Sequence, residues 1–125
     1  MILDTCALLW LAQGGGRLSA STLARIDAEP VVLVSAICGF EIGVKVAKGK
    51  LSLPARPSDW FETVVQHHHL RVLPVDLATA IRATELPSIH ADPVDRMVIA
   101  AAQLQSLTVV TSDRVFDRYD VETIL

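Results

Sequence analysis

The chain is poor in the features that mark several protein classes. Only two cysteines, Cys6 and Cys38, occur in 125 residues, and no export signal accompanies them. That usage predicts reduced, buried thiols and excludes a disulfide scaffold or a zinc finger. Long hydrophobic runs are missing as well. The longest uncharged stretch, Met97 to Ser112, spans 16 residues and includes two glutamines and several Ser and Thr, too short and too polar to cross a bilayer. The apolar opening carries Asp4 and no basic flank, unlike a signal peptide, so the expected location is cytoplasmic, with no membrane partner. Positive charge is also scarce: 11 Lys and Arg stand against 14 Asp and Glu, a net −3. A generic electrostatic binder of nucleic acid carries the opposite excess. A nuclease survives this test, because an enzyme holding divalent metal with carboxylates must be locally acidic, and the metal then meets the phosphate.

What is present is a core. Apolar residues make up 51% and charged residues 20%, which excludes a disordered adaptor. Surface scaling for this length gives roughly 6,500 Å² folded against roughly 19,500 Å² unfolded, enough burial to need no staple. No repeat, low-complexity tract or linker interrupts the chain, and Gly14-Gly15-Gly16 reads as a turn. A single domain over residues 1–125 is expected.

Short apolar or β-branched runs at Ile2-Leu3, Val31-Val34, Val72-Val75, Thr108-Val110 and Val121-Leu125 predict five strands. Helical patterns fill about 5–13, 20–28, 36–48, 58–69, 77–85 and 93–106, with a short turn near 114–118. Alternation of this kind implies a parallel sheet with helices on both faces. Ligands in such folds bind beyond the carboxyl ends of the strands, where strand order reverses.

Four carboxylates fall where that edge would be. Asp4 follows the first strand, and a plain N-cap would also explain it. Glu41 lies on the helix after the second strand, between Ile37 and Val44 and beside Phe40, an apolar setting in which an unsatisfied carboxylate is costly. Its bland alternative is a weak i,i+4 pair with Lys45. Asp92 and Asp95 in His90-Ala91-Asp92-Pro93-Val94-Asp95 resemble an acidic capping box, which alone could account for both. Asp113 ends the fourth strand and could cap the following turn. Together, Asp4, Glu41, Asp95 and Asp113 supply hard oxygen ligands suited to Mg²⁺ or Mn²⁺. Without metal they would repel one another and raise each other's pKa. Phosphodiester hydrolysis is the natural reaction for such a cluster.

The residues Leu3-Asp4-Thr5, Ser35 through Glu41-Ile42 with Lys45, Gly49 through Pro54, His90 through Met97 with Ile99-Ala100, and Val109 through Asp113 together resemble PIN-domain ribonucleases of the VapC toxin type. That resemblance covers nearly the whole chain. It implies a three-layer α/β/α fold with a five-stranded parallel sheet in the order 3-2-1-4-5. It further implies an Mg²⁺- or Mn²⁺-dependent endoribonuclease acting as the toxin of a type II toxin–antitoxin pair. Asp4, Glu41, Asp95 and Asp113 fall on the family's metal-binding and catalytic positions, with Thr111 as supporting hydroxyl and Asp92 beside them. Cys6, Phe40 and Cys38-Gly39 depart from residues common in relatives, and none of these removes a metal ligand.

Candidate substrate contacts are Arg96, Lys45 and His90, each able to meet a phosphate. Lys45, Lys48 and Lys50 would equally complement a helix C-terminus. His67-His68-His69 looks like a metal tract, yet consecutive residues on a helix point to different sides, so a surface helix end is expected. Leu8, Leu9, Trp10 and Leu11 are consecutive, so one helix cannot bury them all, and a homodimer is expected to cover the excess. A cognate antitoxin is expected over the acidic groove, its Arg reaching the carboxylates.

Two other functions compete. A catalytically silent PIN-like module that binds protein or RNA would have no reason to keep four mutually repelling acids. A phosphatase or phosphoacceptor domain with Asp4 as nucleophile would want a second acid two residues later, where Cys6 stands.

Overall fold

The computed structural model describes every residue, Met1–Leu125. Five strands, β1 (Ile2–Leu3), β2 (Val32–Ser35), β3 (Leu70–Leu73), β4 (Val109–Val110) and β5 (Thr123–Ile124), lie in the order β3-β2-β1-β4-β5. Every neighbouring pair is parallel. Six helices cover the sheet in a three-layer α/β/α sandwich: α1 (Thr5–Ala12), α2 (Ala20–Ala28), α3 (Ala36–Ala47), α4 (Pro57–His67), α5 (Leu77–Glu85) and α6 (Pro93–Gln105). None is long and apolar enough to cross a membrane. The sheet order and element order are those expected from the sequence.

Residues of β1, β2 and β4 are buried without exception, as a parallel sheet packed on both faces requires. Helix starts follow from capping chemistry: the side chains of Asp4, Ser19, Ser35, Asp76 and Asp92 each accept a first-turn N–H. Register then sets the site. Leu3 lies opposite Val34 on one side and Val110 on the other, so the residues that follow these three emerge at one edge.

Three expectations are corrected. Strand β3 begins two residues earlier than the Val72-Val75 run, because α4 stops at His67 and His69 turns the chain with φ of 53°; Pro74, lacking an N–H, bars extension at the other end. Cys6 is exposed, and only Cys38 is a buried thiol. Finally, the α1 run leaves less surface uncovered than expected: Leu8 and Leu11 are core, and Leu9 and Trp10 are partly buried against it. The large exposed apolar residues are instead Phe40, Val72, Leu77, Ile81 and Leu104.

Phe116 is fully buried within the 3-10 turn Arg114–Arg118, directly after Asp113, and its N–H bonds to the Asp113 carbonyl at 3.2 Å. Truncating it removes a large core contact under the site. Phe116→Ala is expected to lower unfolding free energy by about 3–5 kcal/mol in urea titration, whereas Phe40→Ala should stay within about 0.5 kcal/mol. Equal effects would contradict this placement of the core.

Candidate metal centre

Asp4 leaves β1 and caps α1, its Oδ1 accepting the Ala7 N–H at 2.7 Å. The Thr111 hydroxyl supplies a further hydrogen bond, yet burial dominates and raises the Asp4 pKa, with Asp113 and Glu41 pushing in the same direction. Thr111, itself buried, also accepts the Asp113 N–H at 3.0 Å. One hydroxyl thus ties the acids after β1 and β4 together. Asp113 in turn caps the turn that follows, accepting the Val115 N–H at 2.9 Å. The capping role and the site role coincide on Asp4 and Asp113, since capping engages only part of a carboxylate's acceptor capacity.

Glu41 reaches the same edge from α3. Its side chain is 16% exposed, and Lys45 lies 3.8 Å away with 45% exposure, a loose i,i+4 pair worth a few tenths of a kcal/mol, about 0.2–0.5. Phe40 beside it is 67% exposed, so Glu41 stands at the border between core and solvent rather than on a wholly apolar face.

Asp95 occupies the first turn of α6, where Asp92 Oδ1 caps through Val94 N–H and Asp95 N–H at 2.8 and 3.1 Å. Asp92 therefore serves the helix end and faces Asp95 as a like charge. Burial pushes the Asp95 pKa up to about 6, although contact with His90 pulls it down. His90 Nε2 lies 2.7 Å from Asp95 Oδ2 and 4.0 Å from Asp113 Oδ2. Its side chain is only 20% exposed, so the imidazole turns inward to the acids instead of outward to a substrate.

Arg96 is corrected more sharply. Its Nε donates to the Ala83 carbonyl at 3.1 Å, Nη1 to Pro87 and His90 carbonyls at 3.0 Å each, and Nη2 to Leu86 at 2.8 Å. The guanidinium closes the C-terminal end of α5 and staples the loop before α6, leaving it engaged with backbone rather than available to phosphate. Tyr119, which no sequence pattern singled out, completes this clamp. Its hydroxyl accepts the His90 N–H at 2.9 Å and donates to the Pro87 carbonyl at 3.0 Å. A lone Tyr 29 positions downstream of its partner carries no local signal.

The donor set fits a divalent cation. Carboxylates from four different segments meet at one edge; Asp4 and Asp95 are disfavoured as anions by burial. His90, Asp95 and Asp113 present ligand atoms all within 4.8 Å of one another. A cation is what such a cluster lacks. His67, His68 and His69 lie before β3, at the amino edge of the sheet, away from this centre.

Metal-free protein should report the Asp95 burden through pH. Folding raises its pKa from 3.8 to about 6, so the associated stability is fully present below the unfolded value and is lost as pH rises through the folded one. Half-buried His68 has a pKa lowered by partial desolvation and by His67 and acts in the opposite sense as pH falls, so the informative quantity is a difference. Asp95→Asn is expected to gain melting temperature relative to wild type, in chelator, as pH rises from about 4.5 to about 7.5. A constant gap between the two proteins would contradict the assignment.

Comparison with known proteins places the chain in a family. The PIN domain family model matches residues 1–122. Ribonuclease VapC22 of Mycobacterium tuberculosis (strain ATCC 25618 / H37Rv) is 27% identical over 115 residues, covering 91% of this chain and 87% of that protein. A chain in the crystal structure of VapBC2 from Rickettsia felis bound to a DNA fragment from their promoter superposes with a TM-score of 0.75 at 14% identity, over 98% of this chain and 96% of the other. DNA-bound VapBC from Salmonella typhimurium gives 0.71 at 21% identity, over 98% and 95%. The two structural likenesses speak for the fold, while the family match runs through the segments carrying all four acids: the chain belongs to the PIN domain family.

Proposed function

We propose that the chain is a metal-dependent endoribonuclease that acts as the toxin of a type II toxin–antitoxin pair. The observation that carries this reading is the gathering of Asp4, Glu41, Asp95 and Asp113 at the carboxyl edge of the sheet, with Lys45 as the one lysine paired to any of them. The name of the related ribonuclease and the toxin–antitoxin complexes among the structural neighbours support it.

Asp4, Glu41, Asp95 and Asp113 are the proposed ligands of Mg²⁺ or Mn²⁺ and the catalytic set. A bound ion would supply Lewis-acid activation of water and charge stabilisation at the leaving oxygen. The chain itself supplies rigidity. Thr111 and the cap bond to Ala7 hold Asp4; the Thr111 and Val115 contacts hold Asp113. Lys45, with Lys48 and Lys50 exposed just past the end of α3, offers cations to the RNA backbone, which would otherwise be repelled by the acids.

An antitoxin segment bearing Arg is the proposed inhibitor, its bidentate guanidinium replacing metal at the carboxylates, with Phe40 as an exposed apolar neighbour of Glu41. The proposed homodimer is moved from α1 to α5, where Leu77 and Ile81, one helical turn apart, are 77% and 49% exposed. Light scattering should give a dimer that Leu77→Asp/Ile81→Asp converts to monomer; a wild-type monomer at high micromolar concentration removes the dimer.

Cleavage of end-labelled RNA by the chain, freed of its partner, is the test of the activity. Turnover is expected with Mg²⁺ or Mn²⁺ and none in chelator. Asp4→Asn, Glu41→Gln, Asp95→Asn and Asp113→Asn should each slow it by at least about 10²-fold while retaining the folded circular dichroism spectrum. Wild-type rates in any two would withdraw those residues, and a folded chain cutting no RNA with either ion would leave a silent binding module.

A further inference from the structure

We infer that His90 is a nitrogen ligand of the divalent ion at this centre, beside the carboxylates of Asp95 and Asp113, and that it biases the site towards manganese over magnesium. The inference rests on the proposal that these carboxylates bind metal.

The geometry is specific. His90 Nε2 stands 2.7 Å from one carboxylate and 4.0 Å from the other, and all three ligand atoms fall within 4.8 Å of one another. Metal coordination through Nε2 would replace the His90–Asp95 hydrogen bond, with the neutral ring carrying its proton on Nδ1. The backbone on either side of the ring is fixed independently. Its N–H is held by the Tyr119 hydroxyl at 2.9 Å and its carbonyl by Arg96 Nη1 at 3.0 Å. Arg96 and Tyr119 also grip the Pro87 carbonyl of the same loop. A histidine serving only as partner to Asp95 needs no such tether, whereas a ligand must be pre-positioned. Phosphate steering fits poorly, because the ring is largely buried and its Nε2 faces anions.

Ligand chemistry gives the consequence. An all-carboxylate site suits Mg²⁺ and Mn²⁺ alike, while an imidazole nitrogen favours the softer, borderline ions. Adding one to an acid set should raise affinity for Mn²⁺ more than for Mg²⁺.

Pulsed electron paramagnetic resonance on protein loaded with one equivalent of Mn²⁺ reads this directly, without RNA. His67→Gln/His68→Gln/His69→Gln serves as the background, so that the tract at the opposite edge of the sheet contributes no nitrogen. Directly coordinated ¹⁴N modulation is expected in this background and is expected to vanish on adding His90→Gln. In competition titrations the preference for Mn²⁺ over Mg²⁺ should fall about tenfold with the same change. Tight Mn²⁺ binding with no ¹⁴N modulation, or with modulation and preference unchanged by His90→Gln, overturns the role of His90 and leaves the carboxylate site standing. Tighter metal binding on removing His90 would make it a competitor for the carboxylates and also overturns the inference. Failure of Mn²⁺ to bind at all would remove the metal site together with it.

Discussion

Negative charge concentrated at the carboxyl edge of β1 and β4 is the constraint on which the rest of this molecule depends. Parallel pairing of β1 with both β2 and β4 brings together segments that lie about a hundred residues apart in sequence, and each carries acid to the same place. Like charges at such proximity oppose folding. Burial raises the pKa values of Asp4 and Asp95, and the neighbouring carboxylates push in the same direction. A structure that keeps these charges together has a use for them, and cation binding is the simplest one.

The supports around the acids make sense in that light. Caps that would ordinarily do no more than start a helix here also aim carboxylates: Asp4 at α1, Asp92 at α6 and Asp113 at the following turn. Thr111 links the acids of two strands through one hydroxyl. Arg96 has four backbone carbonyls as partners, so the cation next in sequence to Asp95 neutralises helix-end dipoles and leaves Asp95 without a direct counter-charge. The remaining partner of Asp95 is His90, carried on the loop that Arg96 and Tyr119 hold.

Much of this was legible in the sequence because it is written in local signals. Strand runs ending in Asp, Asp-Pro before α6, and Gly14-Gly15-Gly16 at positive φ each act within a few residues. Features set by tertiary packing were not. Nothing near Arg96 announces that its fork will meet the end of α5, and nothing near Tyr119 announces His90. The α1 run Leu8-Leu9-Trp10-Leu11 suggested an excess of apolar surface, yet the fold surrounds that helix more completely than its own periodicity indicates. The histidine tract does fall at an exposed helix end, as expected, although α4 stops at His67 and helical periodicity no longer governs the next two residues.

Metal binding by the carboxylates is the central claim, and thermal unfolding of the chelator-treated chain during titration with Mg²⁺ and with Mn²⁺ tests it most directly. Ions that bind only the folded state raise the melting temperature with the logarithm of their concentration. Such a rise is expected for the wild type and is expected to disappear in Asp4→Asn/Asp113→Asn. An unchanged melting temperature for the wild type at saturating levels of both ions would contradict it.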